Sequence, residues 1–361
     1  MKSRVTISDV ARAAGVSNSS VSYALNGRPG ISERTRVKVM HAARELGWKP
    51  NSAARALSKA RTHAIGLIVT YSADVLAVES YALELIVGLE TVFEQEGYSL
   101  LMRSAKSRFH ELDIMREWIA DATVDALVVM NVELGDPRVA ELKKHPEFPA
   151  LLLCDASVAD GLTTLSDDEE EAARLVVDYC HALGHRSMAR VAGPEMMGHT
   201  LVRDKAFVSL TMDAGMRYRC LHTDYSPTQG RVCVERLLSL PNPPTVIVCD
   251  SDATAVTAMD VGRRRGLRVP GDLSVISWDD TFMCEISNPS VTSLNRDVVG
   301  RGRKAARTVI DMVEGRPVES VTATDGMMIV RGSTGRPERT VVHDMALENG
   351  EPVKKLVLSH E

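Results

Sequence analysis

Small polar side chains cluster on one short segment near the start of the chain. The inner positions of residues 18–25 are apolar, and the outer positions carry Asn18, Ser19, Ser20, Ser22 and Tyr23. Amide and hydroxyl groups on a short helix can reach base edges in a major groove. The pattern therefore predicts a surface that reads DNA. The alternative that it allows is a small helical bundle with a solvated polar face.

A second set of polar residues follows the strand-like runs in the longer part of the chain. The carboxyl ends of parallel strands meet at one edge of a sheet, and ligands bind beside that edge. Carboxylates and an arginine can accept from and donate to vicinal hydroxyls, and rings can stack on sugar faces. The residues are Tyr71, Ser72, Asp155, Arg203, Tyr225, Ser251 and Asp279. They predict a site for a polyhydroxylated small molecule.

Neighbouring acidic residues are given structural roles. We interpret Asp252 and Asp280 as helix caps or loop-fixing groups, because aspartate favours such positions. The acidic run 167–171 is interpreted as the solvated first turn of a helix, where negative charge suits the helix dipole.

Three helices must position the DNA-reading surface. Thr6 and Asp9 have the spacing of a capping box, Gly15 suits a tight turn, and Ser17 and Ser32 can cap the second and third helices. Helical spacing predicts three apolar faces. They are Val10, Ala13 and Ala14 in the first helix, Val21, Ala24 and Leu25 in the second, and Val37, Met40, Ala43 and Leu46 in the third.

Charge is divided unevenly along the chain. Residues 1–61 contain twelve Lys and Arg against three Asp and Glu, a net charge of +9. Because the whole chain carries −5, the other 300 residues carry −14. A basic head on an acidic body favours a polyanionic partner for the head alone.

Residues 50–61 form a short segment that would be a marginal helix by itself in water. Leu57 is an apolar side chain among small and polar ones, and leucine can act as a wedge in a minor groove. The segment is predicted to be a hinge helix that contacts DNA; the alternative is a plain linker.

The remaining chain alternates strand-like and helix-like runs, which predicts parallel sheets. The strand-like runs are 64–70, 99–103, 126–130 and 150–154, then 187–192, 218–222, 245–249 and 273–278. The two blocks predict two doubly wound α/β lobes. The six cysteines show no paired metal-binding spacing and are expected to be reduced, mostly buried thiols, and His181 and His185 are assigned to a turn. No metal site and no cofactor are expected.

Four motifs resemble those of the lactose/galactose repressor family of bacterial transcription regulators. They are TISDVARAAGVS, SSVSYALNGRPGISERTR, ARELGWKPNSAARALS and THAIGLIV, in family order. The chain departs from the family at Tyr23, where many members have Arg, and after the first strand, where it reads TYSADVLAVESY. These departures concern the base preference and the first lobe's share of the ligand site.

The resemblance implies an all-α helix-turn-helix head over 1–49, a hinge helix over 50–61 and a core over 62–334 of the periplasmic-binding-protein type. The first lobe is expected over 62–160 and 292–320, the second over 161–291 and 321–334, and a tail over 335–361. Helix 298–314 is expected in the first lobe and strand 327–331 in the second. Arg203, Asp279, Ser251, Asp155 and Tyr225 match family ligand positions. The candidate DNA contacts are Thr6, Ser17, Asn18, Ser19, Ser20, Ser22, Tyr23, Asn26, Arg28, Ala54, Arg55, Leu57 and Lys59.

These observations predict a transcriptional repressor controlled by a small effector, a sugar or related metabolite. We expect a cytoplasmic homodimer that binds double-stranded operator DNA, with no membrane partner. The alternative is a solute-binding protein or an α/β enzyme with a fused head. The sequence contains no Walker loop, GxSxG or HExxH motif, and it has no apparent export signal at its N-terminus, so this alternative is disfavoured.

Overall fold

The computed structural model describes residues 5–25, 29–48, 61–70, 75, 80–323 and 326–338, and the backbone of 347–348 and 351–352. The chain divides into two compact units, Met1–Thr62 and His63–Glu361. Among the described residues, none of the helices has the length and apolar character needed to cross a bilayer.

The first unit contains three short helices, α1 (Ile7–Ala14), α2 (Asn18–Leu25) and α3 (Glu33–Glu45). The predicted caps are confirmed. Thr6 and Asp9 form a reciprocal capping box, and Gly15 ends α1 at φ 66°. The Ser17 and Ser32 hydroxyls accept hydrogen bonds from backbone N–H groups at the starts of α2 and α3.

The core of the head confirms part of the predicted apolar pattern. Its buried residues are Val10, Ala11, Val21, Ala24, Val39, Ala42 and Ala43. The prediction for α3 was wrong at three positions, since Val37, Met40 and Leu46 are 60%, 45% and 39% exposed. Ala13 is also exposed, and Ala11 is buried instead. Helix α3 carries two apolar stripes, and the one with small alanines packs because it lets the helices approach closely.

The first lobe of the second unit is built on a four-stranded parallel sheet. The strands are β1 (Ala64–Val69), β2 (Ser99–Ser104), β3 (Ala126–Val129) and β4 (Ala150–Leu152), and the helices are α4 (Ser80–Glu96), α5 (Arg108–Ala120) and α6 (Pro137–Leu142). The strands lie in the order β2-β1-β3-β4, and the near-continuous apolar run of β1 suits a strand covered on both faces.

The second lobe is built on a six-stranded sheet. Its strands are β6 (Ser187–Ala192), β7 (Arg217–His222), β8 (Val246–Cys249), β9 (Ser274–Ser277), β10 (Thr292–Asn295) and β12 (Met327–Ile329). They lie in the order β12-β10-β9-β8-β6-β7, in which only β12 is antiparallel to its neighbour. Its helices are α7 (Glu169–Ala182), α8 (Gly198–Asp213), α9 (Pro227–Leu238), α10 (Asp252–Arg264) and α11 (Phe282–Ile286).

The chain passes between the lobes three times. It crosses first through β5 (Leu165–Asp167), then back after β10 into α12 (Val298–Val313), and finally through β11 (Val321–Ala323). Strands β5 and β11 pair in parallel, and α12 packs in the core of the first lobe. Beyond the core, Leu347–Glu348 and Glu351–Pro352 form a small antiparallel pair.

Three of the expected lobe boundaries require correction. Leu165 is buried in the first-lobe core, although 161–167 was assigned to the second lobe. Strand β10 pairs with β9 in the second lobe, although 292–295 was assigned to the first. The second lobe also extends past 334, because Glu338 N–H donates to the Gly271 carbonyl. Hydrophobicity did not predict strand β10, because its Thr292 and Ser293 are polar. Both are buried nevertheless, since they form hydrogen bonds with the distant segment 331–334.

Helices α4 and α12 meet backbone to backbone at a pair of glycines. A Cβ on Gly88 would overlap the Val299 carbonyl oxygen and lie 2.8 Å from Gly302 Cα. A side chain at this position therefore requires the two helices to separate.

We expect Gly88→Ala to lower the free energy of unfolding by about 1–3 kcal/mol, because overpacking forces the backbone to shift. The measurement is urea unfolding of the full chain. Gln95→Ala, at an exposed position of the same helix, is the control and should change stability by at most about 0.5 kcal/mol. Equal effects of the two substitutions would show that the glycine contact does not constrain the helix pair.

Candidate functional site

The head presents the first turn of α2 to solvent. Asn18 and Ser19 are exposed and Tyr23 is 40% exposed, while Ser20 and Ser22 are half-buried. The Asn18 amide donates to the Ser8 hydroxyl at 3.2 Å, which ties α2 to α1. The helix start therefore offers an amide that is held in place by the neighbouring helix and, beside it, the exposed Ser19 hydroxyl.

The other predicted DNA contacts fall into two groups. Thr6 is exposed and takes part in the capping box, and the Ser17 and Ser20 hydroxyls lie 3.0 Å apart at the start of α2. The residues outside the described part of the chain are Asn26, Arg28, Ala54, Arg55, Leu57 and Lys59.

In the second unit, a cavity lies between the two lobes at the carboxyl ends of their strands. The five predicted ligand residues that the structure describes all line it: Asp155, Arg203, Tyr225, Ser251 and Asp279. Tyr71 and Ser72 lie outside the described residues. The residues chosen because they follow the carboxyl ends of parallel strands thus lie together at one cavity, and their role in binding a ligand stays a prediction.

Arg203 extends from α8 into a buried cluster of carboxylates at this cavity. Its guanidinium binds both oxygens of Glu169, at 2.6 and 2.7 Å, and lies 3.3 Å from Asp250. It also stacks 4.7 Å from the centre of the Trp278 ring. Burial would raise the pKa of Glu169, but the adjacent Arg203 outweighs it and lowers that pKa to about 2.

Arg190, on strand β6, supplies the second positive charge beside Asp250, which follows the neighbouring strand β8. It donates to both Asp250 oxygens, at 2.7 and 2.6 Å, and to Asp204 at 2.6 Å. Burial again favours the protonated acid, yet Arg190 and Arg203 hold the pKa of Asp250 well below its usual range. Asp250 therefore remains a buried carboxylate shared by two arginines.

A second arginine cluster lies where the chain crosses between the lobes. Arg296 contacts Asp279 at 2.5 Å and Asp167 at 3.1 Å, and its guanidinium lies 5.7 Å from the centre of the Tyr81 ring. Arg301 forms a further ion pair with Asp167. Burial raises the pKa of Asp279, and Arg296 opposes that shift.

Direct hydrogen bonds join the two lobes at the cavity and beside it. Ser80 at the start of α4 donates to Asp252 of α10 at 2.9 Å, and Thr281 donates to the same carboxylate at 2.6 Å. Elsewhere, Leu134 N–H donates to the Met196 carbonyl, which joins the loops that follow β3 and β6. The Ser80–Asp252 and Leu134–Met196 bonds exist only while the two lobes lie against each other.

His199 and Tyr225 form a polar pair on the second-lobe wall of the cavity. The His199 Nε2 atom and the Tyr225 hydroxyl are 2.9 Å apart. Burial, together with the positive charge of Arg203, lowers the pKa of His199 to about 3. The imidazole is therefore neutral near pH 7 and can exchange donor and acceptor roles with the tyrosine.

Sequence reasoning missed several lining residues and misassigned others. The solvated-turn interpretation of 167–171 was wrong for two members, because Glu169 is buried and Asp167 lines the cavity. Ser251 caps α10, and Asp252 instead links the lobes. Asp280 does fix a loop, through Ser293, Asn295 and Arg331. The polar lining residues not singled out for this site were Ser80, Tyr81, Asn131, Ser166, Asp167, Glu169, His199, Asp250, Asp252, Thr281, Arg296 and Arg301.

We expect Arg203→Ala to lower the free energy of unfolding by about 3–5 kcal/mol, because it leaves Glu169 without its bidentate partner in a buried site. Arg174→Ala is the matched control, since Arg174 pairs with Glu170 and Glu171 at the surface, where such pairs contribute about 0–1 kcal/mol. Denaturant unfolding measures both. A loss at Arg203 as small as that at Arg174 would contradict a buried compensating role.

Comparisons with known proteins agree with this architecture. The lacI family model of bacterial regulatory proteins matches residues 6–51, and a periplasmic binding protein-like domain matches 177–334. The chain is similar to the HTH-type transcriptional repressor CytR of Escherichia coli K12, with 28% identity over 334 residues, 91% of this chain and 96% of CytR. Catabolite control protein A of Priestia megaterium is 30% identical over 322 residues, 88% of this chain and 95% of that protein.

Solved structures of LacI-type regulators are also similar to this chain. A LacI family transcriptional regulator from Bifidobacterium animalis subsp. lactis is 41% identical, covers 77% of this chain and 99% of its own, and has a TM-score of 0.72. The Lac repressor dimer bound to operator and the anti-inducer ONPF has a TM-score of 0.81 at 24% identity, covering 92% of this chain and all of that one. The chain therefore belongs to the lacI family of bacterial regulatory proteins.

Proposed function

We propose that this protein is a transcriptional repressor that binds operator DNA through its head and responds to a small polar effector between its core lobes. The observation that carries the proposal is the cavity, which brings strand-end polar residues of both lobes together in a chain that also has a basic helix-turn-helix head. The relatives named above are themselves repressors or control proteins.

The head supports DNA binding through both charge and shape. Its net charge of +9 favours phosphate contacts, which would position the head on the duplex. The exposed first turn of α2 would then place Asn18 and Ser19 at base edges, as the second helix of this motif does. Tyr23, farther along the helix, would contribute contacts with bases or sugars.

The cavity favours a neutral polyhydroxylated effector over an anionic one. Its walls carry three guanidinium groups and a larger number of carboxylates, so their formal charge is negative. A phosphorylated or carboxylated ligand would meet repulsion from this surface. Hydroxyl groups could donate to Asp155 and Asp279, while Tyr81 and Tyr225 offer flat faces for a ring. We therefore infer a sugar or a related uncharged metabolite.

A homodimer is proposed from the apolar surface of the core. Leu83 and Val87 of α4 are 57% and 56% exposed, and Phe282 and Ile286 of α11 are 72% and 62% exposed. A second copy of the chain would cover these side chains, as exposed apolar groups of this size favour association. Two heads held in this way would read a DNA site with twofold symmetry.

Control would arise from the relative position of the lobes. A ligand that competes for Ser80 or Asp252, or that adds contacts across the cavity, binds the open and closed arrangements with different affinity. That difference would alter the dimer surface and so the affinity of the paired heads. Coupling energies of this kind are about 1–3 kcal/mol.

We expect Asn18→Ala to weaken binding to a selected operator by about 1–3 kcal/mol while leaving non-specific DNA affinity nearly unchanged, because a base contact is lost. The operator is first obtained by selection from randomised duplexes, and affinity is measured by fluorescence anisotropy. Ser8→Ala removes the same Asn18–Ser8 hydrogen bond but keeps the amide. If Ser8→Ala costs as much as Asn18→Ala, then Asn18 only holds the helices together.

We expect Asp155→Asn to reduce effector affinity roughly 10- to 100-fold, because a charge-assisted hydrogen bond is lost. Stability without ligand should be unchanged, since asparagine can still accept the Ser157 N–H that Asp155 accepts at 2.9 Å. A thermal-shift screen of neutral sugars and nucleosides first identifies the ligand, which is then titrated calorimetrically.

The control is Asp160→Asn, which changes an exposed aspartate close by in sequence that pairs with Lys143 outside the cavity. Normal effector affinity in the Asp155 variant would remove that residue from the site. A screen in which only phosphorylated sugars raise the melting temperature would contradict the proposed ligand class.

A further inference from the structure

Three side chains with metal-binding donor atoms meet at the edge of the second-lobe sheet, away from the cavity. They are Asp204, Cys220 and His222, and one ligand atom from each lies within 4.8 Å of the others. His222 Nε2 is 2.8 Å from Asp204 Oδ2, and Cys220 Sγ is 3.9 Å from His222 Nε2. Within the described residues, this is the one cluster of its kind.

The fold places these groups together for simple geometric reasons. Cys220 and His222 are two residues apart on β7, so their side chains leave the same face of the strand. Asp204 reaches that face from α8, which packs against it. Strand β7 is the last strand of its sheet, and the side chains of Asp204 and His222 are 25% and 28% exposed. The cluster is therefore open to solvent on one side.

We propose that Asp204, Cys220 and His222 form a binding site for a zinc ion. Zinc takes sulfur, imidazole nitrogen and carboxylate oxygen at about 2.3, 2.0 and 2.1 Å, which puts neighbouring ligand atoms of a tetrahedron about 3.4–3.6 Å apart. The Cys220 Sγ–His222 Nε2 distance of 3.9 Å would have to close by about 0.4 Å, and the His222 Nε2–Asp204 Oδ2 distance of 2.8 Å would have to open by about 0.6 Å. Rotation of the three side chains supplies shifts of this size, and Cys220 Sγ already lies 3.7 Å from the other oxygen of the same carboxylate, Asp204 Oδ1.

The surroundings complete a three-residue zinc site. Arg190 donates to Asp204 Oδ1 at 2.6 Å, which orients the carboxylate with its other oxygen toward His222. Water from the open side takes the fourth position, and the thiol proton of Cys220 passes to solvent as the metal binds. A thiolate and an imidazole favour zinc over magnesium or calcium, which prefer oxygen ligands.

The chain offers a matched control for this site. Cys233 is half-buried like Cys220 and lies near the same strand, but its sulfur donates to the His222 backbone carbonyl at 3.7 Å. It packs with Leu221 in the cluster on the opposite face of the sheet. Cys233→Ser therefore removes a neighbouring thiol, keeps a donor for the His222 carbonyl and leaves the three proposed ligand side chains unchanged.

The test is zinc titration of the metal-free full-length protein against a chromophoric zinc chelator, with Co²⁺ substitution as a spectroscopic probe. We expect one Zn²⁺ per chain, no competition by Mg²⁺ or Ca²⁺, and a thiolate-to-cobalt absorption band. Cys220→Ser and His222→Gln should each weaken zinc binding on the order of 100-fold, because loss of a direct ligand costs at least as much affinity as loss of an outer-shell partner. Cys233→Ser should bind like the unaltered protein.

Unfolding curves of the metal-free variants establish that each one folds. Bound Zn²⁺ should also raise the melting temperature of the unaltered protein and of Cys233→Ser, but not of the two ligand variants. Weak binding of several ions per chain, equal loss in Cys220→Ser and Cys233→Ser, or no thiolate band with cobalt would overturn the assignment.

Discussion

Charge compensation at the inter-lobe cavity is the constraint on which the core depends. Glu169, Asp250 and Arg203 are almost fully buried, and each would be costly to bury without its partners. The arginines satisfy this requirement with bidentate geometry, since Arg203 holds Glu169 and Arg190 holds Asp250. The core of the second lobe therefore depends on elements far apart in sequence meeting in one arrangement.

The same network limits which cavity groups can change partners. Arg203 and Asp250 are engaged on several sides by buried neighbours, so they are poorly suited to reorganise around a ligand. Asp155 and Asp252 differ, because one caps a short turn and the other accepts from hydroxyls of both lobes. A polar ligand can replace hydroxyl donors at a lower cost in free energy than it can replace a buried guanidinium. Arg203 and Asp250 thus form a fixed part of the cavity lining, whereas Asp155 and Asp252 form a part that can change partners.

Sequence patterns predicted those features that depend on local chemistry. The capping box at Thr6, the left-handed Gly15 and the polar residues at strand ends all follow from short-range rules. The packed face of α3 did not, because two apolar stripes compete there and the partner helices decide between them. Glu169 was misassigned for a related reason. Nothing near it in sequence shows that Arg203, 34 residues later, makes its burial possible.

The three chain crossings between the lobes have a mechanical consequence. They lie side by side, with β5 paired to β11 and Arg296 of the middle crossing bonded to Asp167 of the first. Sliding or twisting one lobe against the other would shear these bonds, whereas bending about the line of the crossings leaves them intact. The crossings therefore favour one relative motion of the lobes, a bend that breaks the Ser80–Asp252 hydrogen bond but keeps the bonds between the crossings. The amplitude of such a bend grows with distance from the line of the crossings. A bend of this kind would displace most strongly the ends of the lobes that lie farthest from the crossings.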